Sequence, residues 1–130
     1  MRTGIFVGSF DPFTIGHDSI VRRALPLFDK IVIGVGINER KTHMLNEDER
    51  VERIAQLYAK REQAHFIIKG VRSMKDFEYE REQADINKLL NGIETILLCA
   101  EPQLASISSS VVRELKHFGR DISKFLPEGY

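Results

Sequence analysis

The sequence predicts a Rossmann-like α/β fold, an open parallel sheet with helices on both faces. Short apolar runs lie at residues 4–7, 31–36, 66–68 and 95–99, and helical patterns or caps separate them. The run at 31–36 is apolar on both faces, which is typical of a parallel strand covered on each side. Strands that alternate with helices build sheets of this kind. A chain of 130 residues with 42% hydrophobic residues is expected to form a single domain over residues 1–130.

Two helices are predicted in the first half of the chain. Apolar residues recur at helical spacing from His17 to Phe28, so we expect the first helix there. Asn46 and Glu49 form a capping pair for a second helix that runs to about Tyr58.

Two further helices are predicted in the second half. Ser73 is placed to cap a helix over residues 75–90, whose expected apolar stripe includes Phe77 and Leu89. The last helix follows a run of three serines and ends near His117, with Gly119 as its C-terminal cap.

Composition excludes several classes of protein. The 19 basic and 19 acidic side chains cancel, which argues against a nucleic-acid partner. Cys99 is the single cysteine, so no intrachain disulfide forms and a reducing compartment fits. No apolar run approaches the ~20 residues that span a bilayer, and the N-terminus lacks a signal-peptide pattern. We therefore expect a cytoplasmic protein with no membrane and no nucleic-acid partner.

Polar residues follow each predicted strand, and in such folds the carboxyl ends of the strands carry the ligand site. The set combines glycines, hydroxyls and cations. Its members are Gly8, Ser9, Asp11, Thr14, Gly16 and His17 after the first strand, Asn38, Arg40 and Lys41 after the second, Lys69 and Arg72 after the third, and Ser108, Ser109 and Ser110 after the last. Backbone amides, helix N-termini and cations together suit a polyphosphate.

His17 is the sharpest catalytic candidate. Gly16 allows a close approach of the backbone to a ligand, and the helix that opens at His17 favours an anion. An imidazole there can donate a hydrogen bond to a phosphoryl oxygen as charge builds in the transition state. Alone, His17 also fits an ordinary surface histidine, and Lys41, Lys69 and Arg72 fit solvated loop charges. The four histidines lack metal-ligand spacing, and no Gly-Lys-Ser/Thr motif of a P-loop occurs.

The stretch GSFDPFTIGH at residues 8–17 resembles the signature of the nucleotidyltransferase superfamily, whose core is Thr/His-x-Gly-His. Threonine at position 14 resembles the phosphopantetheine adenylyltransferase family, since related families usually carry histidine there. Further blocks match this family in order along the chain. They are Lys41, Gly70-Val71-Arg72, the residues from Asp76 to Glu80, Asn87, the residues from Ile107 to Glu114, and Phe125-Leu126-Pro127-Glu128.

The resemblance implies transfer of an adenylyl group from ATP to 4′-phosphopantetheine, which gives dephospho-CoA and pyrophosphate in coenzyme A biosynthesis. It also implies Mg²⁺ bound mainly through the ATP phosphates, CoA as an inhibitor and a homohexamer. By position, it makes His17 and Lys41 catalytic and assigns Ser9, Lys41, Lys69 and Asn87 to the acceptor. The ATP site implied by the resemblance contains Gly8, Ser9, Phe10, Gly16, His17, Gly70, Arg72, Glu80, Ser108, Ser109 and Ser110.

Two features depart from the family pattern. Lysine stands at position 69, where the family usually has arginine, so the charge is kept but the bidentate fork is lost. The family also has an extra strand, loop and helix before the strand at Phe66. Either these were deleted near residues 58–60, or a segment is absent from this sequence and the residue numbers close over it. We favour the absent segment.

Two other functions are weighed against the adenylyltransferase. One is adenylyl or cytidylyl transfer to another small phosphate, against which Thr14 and the block from Asp76 to Glu80 argue. The other is a non-catalytic nucleotide-binding module, which gains support only if the acceptor pocket is truly incomplete.

Overall fold

A parallel sheet of four strands forms the centre of the fold. In the computed structural model, residues 1–35, 55 and 59–129 are described. The strands are β1 (Thr3–Gly8), β2 (Lys30–Val35), β3 (Phe66–Val71) and β4 (Glu94–Cys99), in the order β2-β1-β3-β4. The predicted Rossmann-like α/β class is confirmed.

Three α-helices are described over their whole length, and residues 55 and 59–61 are helical as well. The three are α1 (Ile15–Ala24), α2 (Met74–Asn91) and α3 (Ser109–His117). Short 3₁₀ turns follow at Leu25–Leu27, Pro102–Leu104 and Ser123–Phe125. None of the described helices is both long and apolar enough to cross a bilayer.

Apolar side chains of β1 pack on both faces of the sheet. Ile5 and Val7 belong to a cluster that also contains Ala59 and Ile67. Phe6, between them in sequence, points to the opposite face, because successive side chains of a strand alternate. There a second cluster joins Phe6, Ile68 and the α1 residues Ile20 and Ala24.

The strand order places a topological switch point between β1 and β3. The chain passes from β1 through α1 to β2 on one side and later returns to pair β3 on the other. Gly8 pairs with Val35, and Val71 pairs with Cys99, so the carboxyl ends of the strands align at one edge. Ligands of such sheets bind beyond this edge at the switch point.

The first helix begins earlier and ends earlier than its periodicity predicts. It starts at Ile15 because the Thr14 side chain caps it, two residues before the predicted start at His17. It ends as an α-helix at Ala24, where the 3₁₀ turn that contains Pro26 begins. Proline lacks the amide that would continue the α-helical hydrogen bonds, so the turn replaces the last predicted α-helical residues.

The predicted apolar stripe of the long helix is wrong. Leu89 is 86% exposed and Phe77 is also exposed, whereas Asn87 is 2% exposed. Positions 87 and 89 lie about 200° apart around a helix, so burying Asn87 turns Leu89 outward.

The helix caps read from the sequence are confirmed where they are described. Ser73 and Ser108 accept hydrogen bonds from the amides of Asp76 and Val111, both at 3.2 Å. Gly119 follows α3 with φ of 77°, the left-handed conformation that glycine adopts without strain. Of the predicted helix from Asn46 to about Tyr58, only Ala55 is described, and it is helical; the rest, and with it part of the junction near residues 58–60, lies outside the described residues.

We predict that Val112→Ala lowers the free energy of unfolding by about 2 kcal/mol, because Val112 is 1% exposed and the change deletes two packed methyl groups. Val111 is the matched control, since it is the adjacent residue of α3 and is 42% exposed. Val111→Ala should change the free energy by less than about 0.5 kcal/mol in urea unfolding. Equal losses in the two variants would contradict the burial of α3.

Candidate active site

A cavity of about 670 Å³ lies at the carboxyl edge of the sheet, at the switch point between β1 and β3. The loop after β1, the start of α1, the end of β3, one side of α2 and the start of α3 all contribute to its lining. Predicted site residues that line it are Gly8, Ser9, Phe10, Gly16, His17, Lys69, Gly70, Arg72, Glu80, Ser108, Ser109 and Ser110.

Five predicted residues do not join this group. Asn38, Arg40 and Lys41 lie outside the described residues, and Asp11 is not among the residues that line the cavity. Asn87 is described and buried in α2, but it is not among the residues that line the cavity. Its predicted contact with the acceptor stays a prediction.

His17 is held by the cap of its own helix. The backbone N–H of Thr14 donates to Nδ1 of His17 at 2.9 Å, and the Thr14 hydroxyl lies 3.2 Å from the same nitrogen. In return, the Thr14 hydroxyl accepts a weak hydrogen bond from the backbone N–H of His17 at 3.4 Å. This reciprocal arrangement is a capping box in which histidine replaces the usual glutamate.

Three phenylalanine rings surround the imidazole. The ring centroids of Phe10, Phe13 and Phe6 lie 5.0, 5.4 and 6.4 Å from that of His17. Phe10 meets it edge to face at 81°. These rings exclude water from the imidazole on the sides that they cover.

The charge of His17 follows from this environment. Burial, and then the positive charge of Arg72, lowers the pKa of His17 from 6.5 to about 4. Burial acts in this direction because it penalises the charged form, and a nearby cation does the same. The imidazole is therefore neutral near pH 7.

Phe10 adopts a backbone conformation that is rare for its residue type. Its φ is 48°, in the left-handed region, which costs a non-glycine residue free energy. A Cβ on Gly8 would lie 2.8 Å from the Phe10 ring, closer than real Cβ contacts come. A side chain at position 8 would therefore force the Phe10 ring to shift.

The loop after β1 is tied to α3 by two hydrogen bonds. The Ser109 hydroxyl donates to the carbonyl oxygen of Pro12 at 2.7 Å. The guanidinium of Arg113 donates to the carbonyl oxygen of Asp11. These contacts hold the start of α3, with its first amides and its dipole, against the same cavity as His17.

Two ion pairs set the charge of the opposite wall. Lys69 Nζ lies 3.3 Å from Glu80 Oε2, and the two side chains are only 13% and 16% exposed. Arg72 Nε lies 3.3 Å from Asp76 Oδ2, in a pair that is more open to solvent. Lys75 and Arg113 add two further cations to the lining.

Gly70 serves the packing of the first helix. A Cβ on Gly70 would lie 2.9 Å from Cγ1 of Ile20, so the glycine lets α1 lie close to β3. At Gly70 the close approach is therefore between α1 and β3 of the protein itself.

The described residues do not build a metal cage. No group of three or more His, Cys, Asp or Glu side chains suited to a metal occurs among residues 1–35, 55 and 59–129. The carboxylates in the cavity lining are Asp76 and Glu80, which contact Arg72 and Lys69.

Several contributors to the site carry signals that sequence reasoning did not use. Thr14 and His17 have the spacing of a capping box, which would have moved the helix start to Ile15. Arg113 lies four residues after Ser109, so both project from the same face of α3. The ring cluster around His17 had no such signal, because Phe6 comes from a strand and Phe10 from a loop.

The site thus combines a neutral histidine, helix N-termini and cations at the switch point of a parallel sheet, an arrangement suited to transfer between phosphates. A family model described as cytidylyltransferase-like matches residues 5–62. The chain is 50% identical to a phosphopantetheine adenylyltransferase of Phocaeicola vulgatus over 99% of its own length and 97% of that protein. It is 46% identical to the protein of that name from Porphyromonas gingivalis, over 97% of this chain and 94% of that protein. It is 37% identical to the one from Kocuria rhizophila, over 98% of this chain and 94% of that protein.

These similarities define the class first: the chain is a nucleotidyltransferase. Within that class it belongs to the phosphopantetheine adenylyltransferase family. The alignment with the Phocaeicola vulgatus protein spans 147 residues, and this chain has 130, so at least 17 residues of that relative have no counterpart here. The placement of the shortfall near residues 58–60 stays a prediction.

We predict that His17 makes the fold less stable in acid. Between pH of about 6.5 and about 4 the unfolded chain binds a proton at this residue and the folded chain does not, so stability falls as the pH is lowered. Urea unfolding of wild type and His17→Gln at a series of pH values isolates this effect. The wild type should lose about 2–3 kcal/mol relative to the variant between pH of about 7.5 and about 4.5. A constant difference would mean that His17 is not protected from protonation.

Proposed function

We propose that this cavity transfers an adenylyl group from ATP to 4′-phosphopantetheine, giving dephospho-CoA and pyrophosphate, as a step of coenzyme A biosynthesis. The observation that carries the proposal is the neutral His17, which shares one cavity with Arg72 and the start of α3. The names of the relatives supply the acceptor.

The reaction needs positioning and charge stabilisation more than it needs a base. An oxygen of the acceptor phosphate attacks the α-phosphorus of ATP as the bond from that phosphorus to the bridging oxygen of pyrophosphate breaks. The acceptor phosphate is largely ionised near pH 7, so no general base has to remove a proton. This agrees with the described site, whose lining holds cations and backbone amides. Its two carboxylates, Asp76 and Glu80, each contact a cation.

His17 would act on the oxygens of the α-phosphoryl group. With Nδ1 accepting from Thr14, the other ring nitrogen, Nε2, carries the proton and can donate to a phosphoryl oxygen. Charge on these oxygens changes as the new bond forms, and a preorganised donor lowers the barrier at that point.

The cations would hold the polyphosphate and the leaving pyrophosphate. Arg72 is fixed at the start of α2, where its backbone N–H and its Nε both donate to Asp76. Lys69 is held by Glu80, and as a lysine it offers a point charge where an arginine would offer a fork. The first amides of α3, at Ser109 and Ser110, complete the phosphate site, and Lys41 keeps its predicted catalytic role.

Adenine and the acceptor would occupy the remaining parts of the site. Leu104 and Ile107 give the cavity an apolar wall beside the serines, which suits a purine ring. Ser9 would contact both substrates, and Asn87 would serve the pantetheine arm. Gly8, Phe10, Gly16, Gly70 and Glu80 complete the proposed ATP site.

Mg²⁺ would enter as its complex with ATP, since the described side chains do not form a cage for it. When bound, it would neutralise part of the charge of the phosphate chain. We also propose a cytoplasmic location, a homohexamer and inhibition by CoA. The hexamer is supported by exposed apolar residues on α2, of which Met74, Leu89 and Leu90 are the most exposed.

Pyrophosphate release from ATP tests the proposed function. We predict release that requires 4′-phosphopantetheine and that other small phosphates, tested as a panel, do not support. Release with a different phosphate would favour a sister transferase. ATP binding without release for any acceptor would favour a non-catalytic module.

We predict that His17→Ala lowers kcat about 10²–10³-fold and changes ATP affinity little, because the lost donor acts mainly in the transition state. His65→Ala is the control, since His65 is an exposed histidine just before β3, at the opposite edge of the sheet. Steady-state kinetics of both variants decide the matter. Near-normal kcat in His17→Ala would remove His17 from this role.

A further inference from the structure

The hydrogen bond at Nδ1 determines which nitrogen of His17 carries the proton. The donor is a backbone N–H, that of Thr14, at 2.9 Å, so Nδ1 must accept. A neutral imidazole has one acceptor and one donor nitrogen, so the proton lies on Nε2. Protonation at Nδ1 would set two N–H groups against each other and break the capping box.

The rings keep the imidazole in that neutral form. Phe10 and Phe13 come from the loop after β1, and Phe6 comes from the strand itself. Of the three, Phe10 has the shortest ring distance to His17 and the strained backbone. A strained residue that persists beside a catalytic candidate indicates that its position serves the site.

We propose that Phe10, with Thr14, is a positioning residue for His17. The Phe10 ring excludes water from the imidazole while the Thr14 amide holds Nδ1, so His17 stays an uncharged donor through Nε2. The inference rests on the proposed function, because it concerns the donor that would act on the phosphoryl group.

Of the charged groups around His17, Arg72 lowers its pKa, and the carboxylates already form ion pairs with cations. Asp18, its neighbour in α1, pairs with Arg22 at 2.6 Å. The charged residues that line the cavity from β3, α2, α3 and the segments next to them are Lys69, Arg72, Lys75, Asp76, Glu80 and Arg113. Both carboxylates of this set contact a cation, so His17 has no anionic partner among these groups to favour its protonated form.

This arrangement has a mechanistic consequence. A histidine with an ordinary pKa would be partly charged in the cell, and its charged form would lose the bond to Thr14. With its pKa lowered to about 4, His17 keeps one geometry over the whole pH range in which the acceptor phosphate ionises.

Nitrogen NMR of the full chain with labelled histidine tests the inference without substrates. We predict that His17 carries its proton on Nε2 and titrates far below 6.5, the ordinary midpoint of a histidine. A proton on Nδ1, or a midpoint near 6.5, would overturn the proposal. The measurement requires no variant and no activity, so it stands apart from the assay of pyrophosphate release.

Two substitutions at Phe10 separate shielding from mere stability. Phe10→Ala opens the imidazole to water and should move the His17 midpoint towards 6.5, whereas Phe10→Leu keeps apolar cover and should leave it low. At saturating substrates, kcat of Phe10→Ala relative to wild type should fall about 10-fold between pH of about 8 and about 5.5. The ionisation of the acceptor phosphate affects both enzymes equally, so it cancels in this ratio of kcat values. For Phe10→Leu, the ratio of kcat to that of wild type should stay constant over the same pH range.

Phe118→Ala is the matched control, because the exposed Phe118 ring lies 5.3 Å from His117 at 75°, a similar edge contact away from the site. It should leave the His17 midpoint and the pH dependence of kcat unchanged. An unaltered midpoint in folded Phe10→Ala would overturn the role of Phe10. If that variant does not fold, the wild-type proton position and midpoint still decide the proposal.

Discussion

The backbone N–H of Thr14 makes the hydrogen bond to His17 on which the candidate site depends. Its length of 2.9 Å requires Nδ1 to act as an acceptor, which leaves the proton on the other nitrogen and the ring without charge. The same residue starts the helix, since its side chain caps α1. The orientation of the His17 ring is therefore set by the cap of its own helix, and that hydrogen bond involves no residue far away in sequence.

The sheet brings together the site residues that come from different strands. Because β1 lies between β2 and β3, the loops after β1 and β3 open on the same cavity, and the segment after β4 reaches it through the start of α3. Arg72 and His17 come together in this way from positions 55 residues apart in the sequence. Their proximity in turn lowers the pKa of His17, together with burial. Topology and electrostatics are thus linked at the switch point.

The fold and most of the residues that line the cavity could be predicted from local patterns and from the resemblance of the motifs to a known family. Apolar runs gave the strands, and Ser73 and Ser108 gave the helix starts, since a cap is a contact over three residues. The start of α1 at Ile15 was not predicted, because the prediction rested on the periodicity of the apolar residues and did not use the cap at Thr14. The outward turn of Leu89 was missed because a low-amphipathicity helix does not tell which face is buried. The rings around His17 could not be predicted, since their contact arises only when loop and strand pack.

The hydrogen bond from Ser109 to Pro12 joins residues 97 positions apart, and Arg113 reaches Asp11 across a similar span. Such long loops are closed late in folding, because their entropy cost comes before their contacts. During synthesis, the glycine and histidine of the first loop therefore leave the ribosome long before their partners on α3 exist. The contacts that seat α3 against the cavity therefore form only after residues 109–113 have been made and the chain has closed over this span.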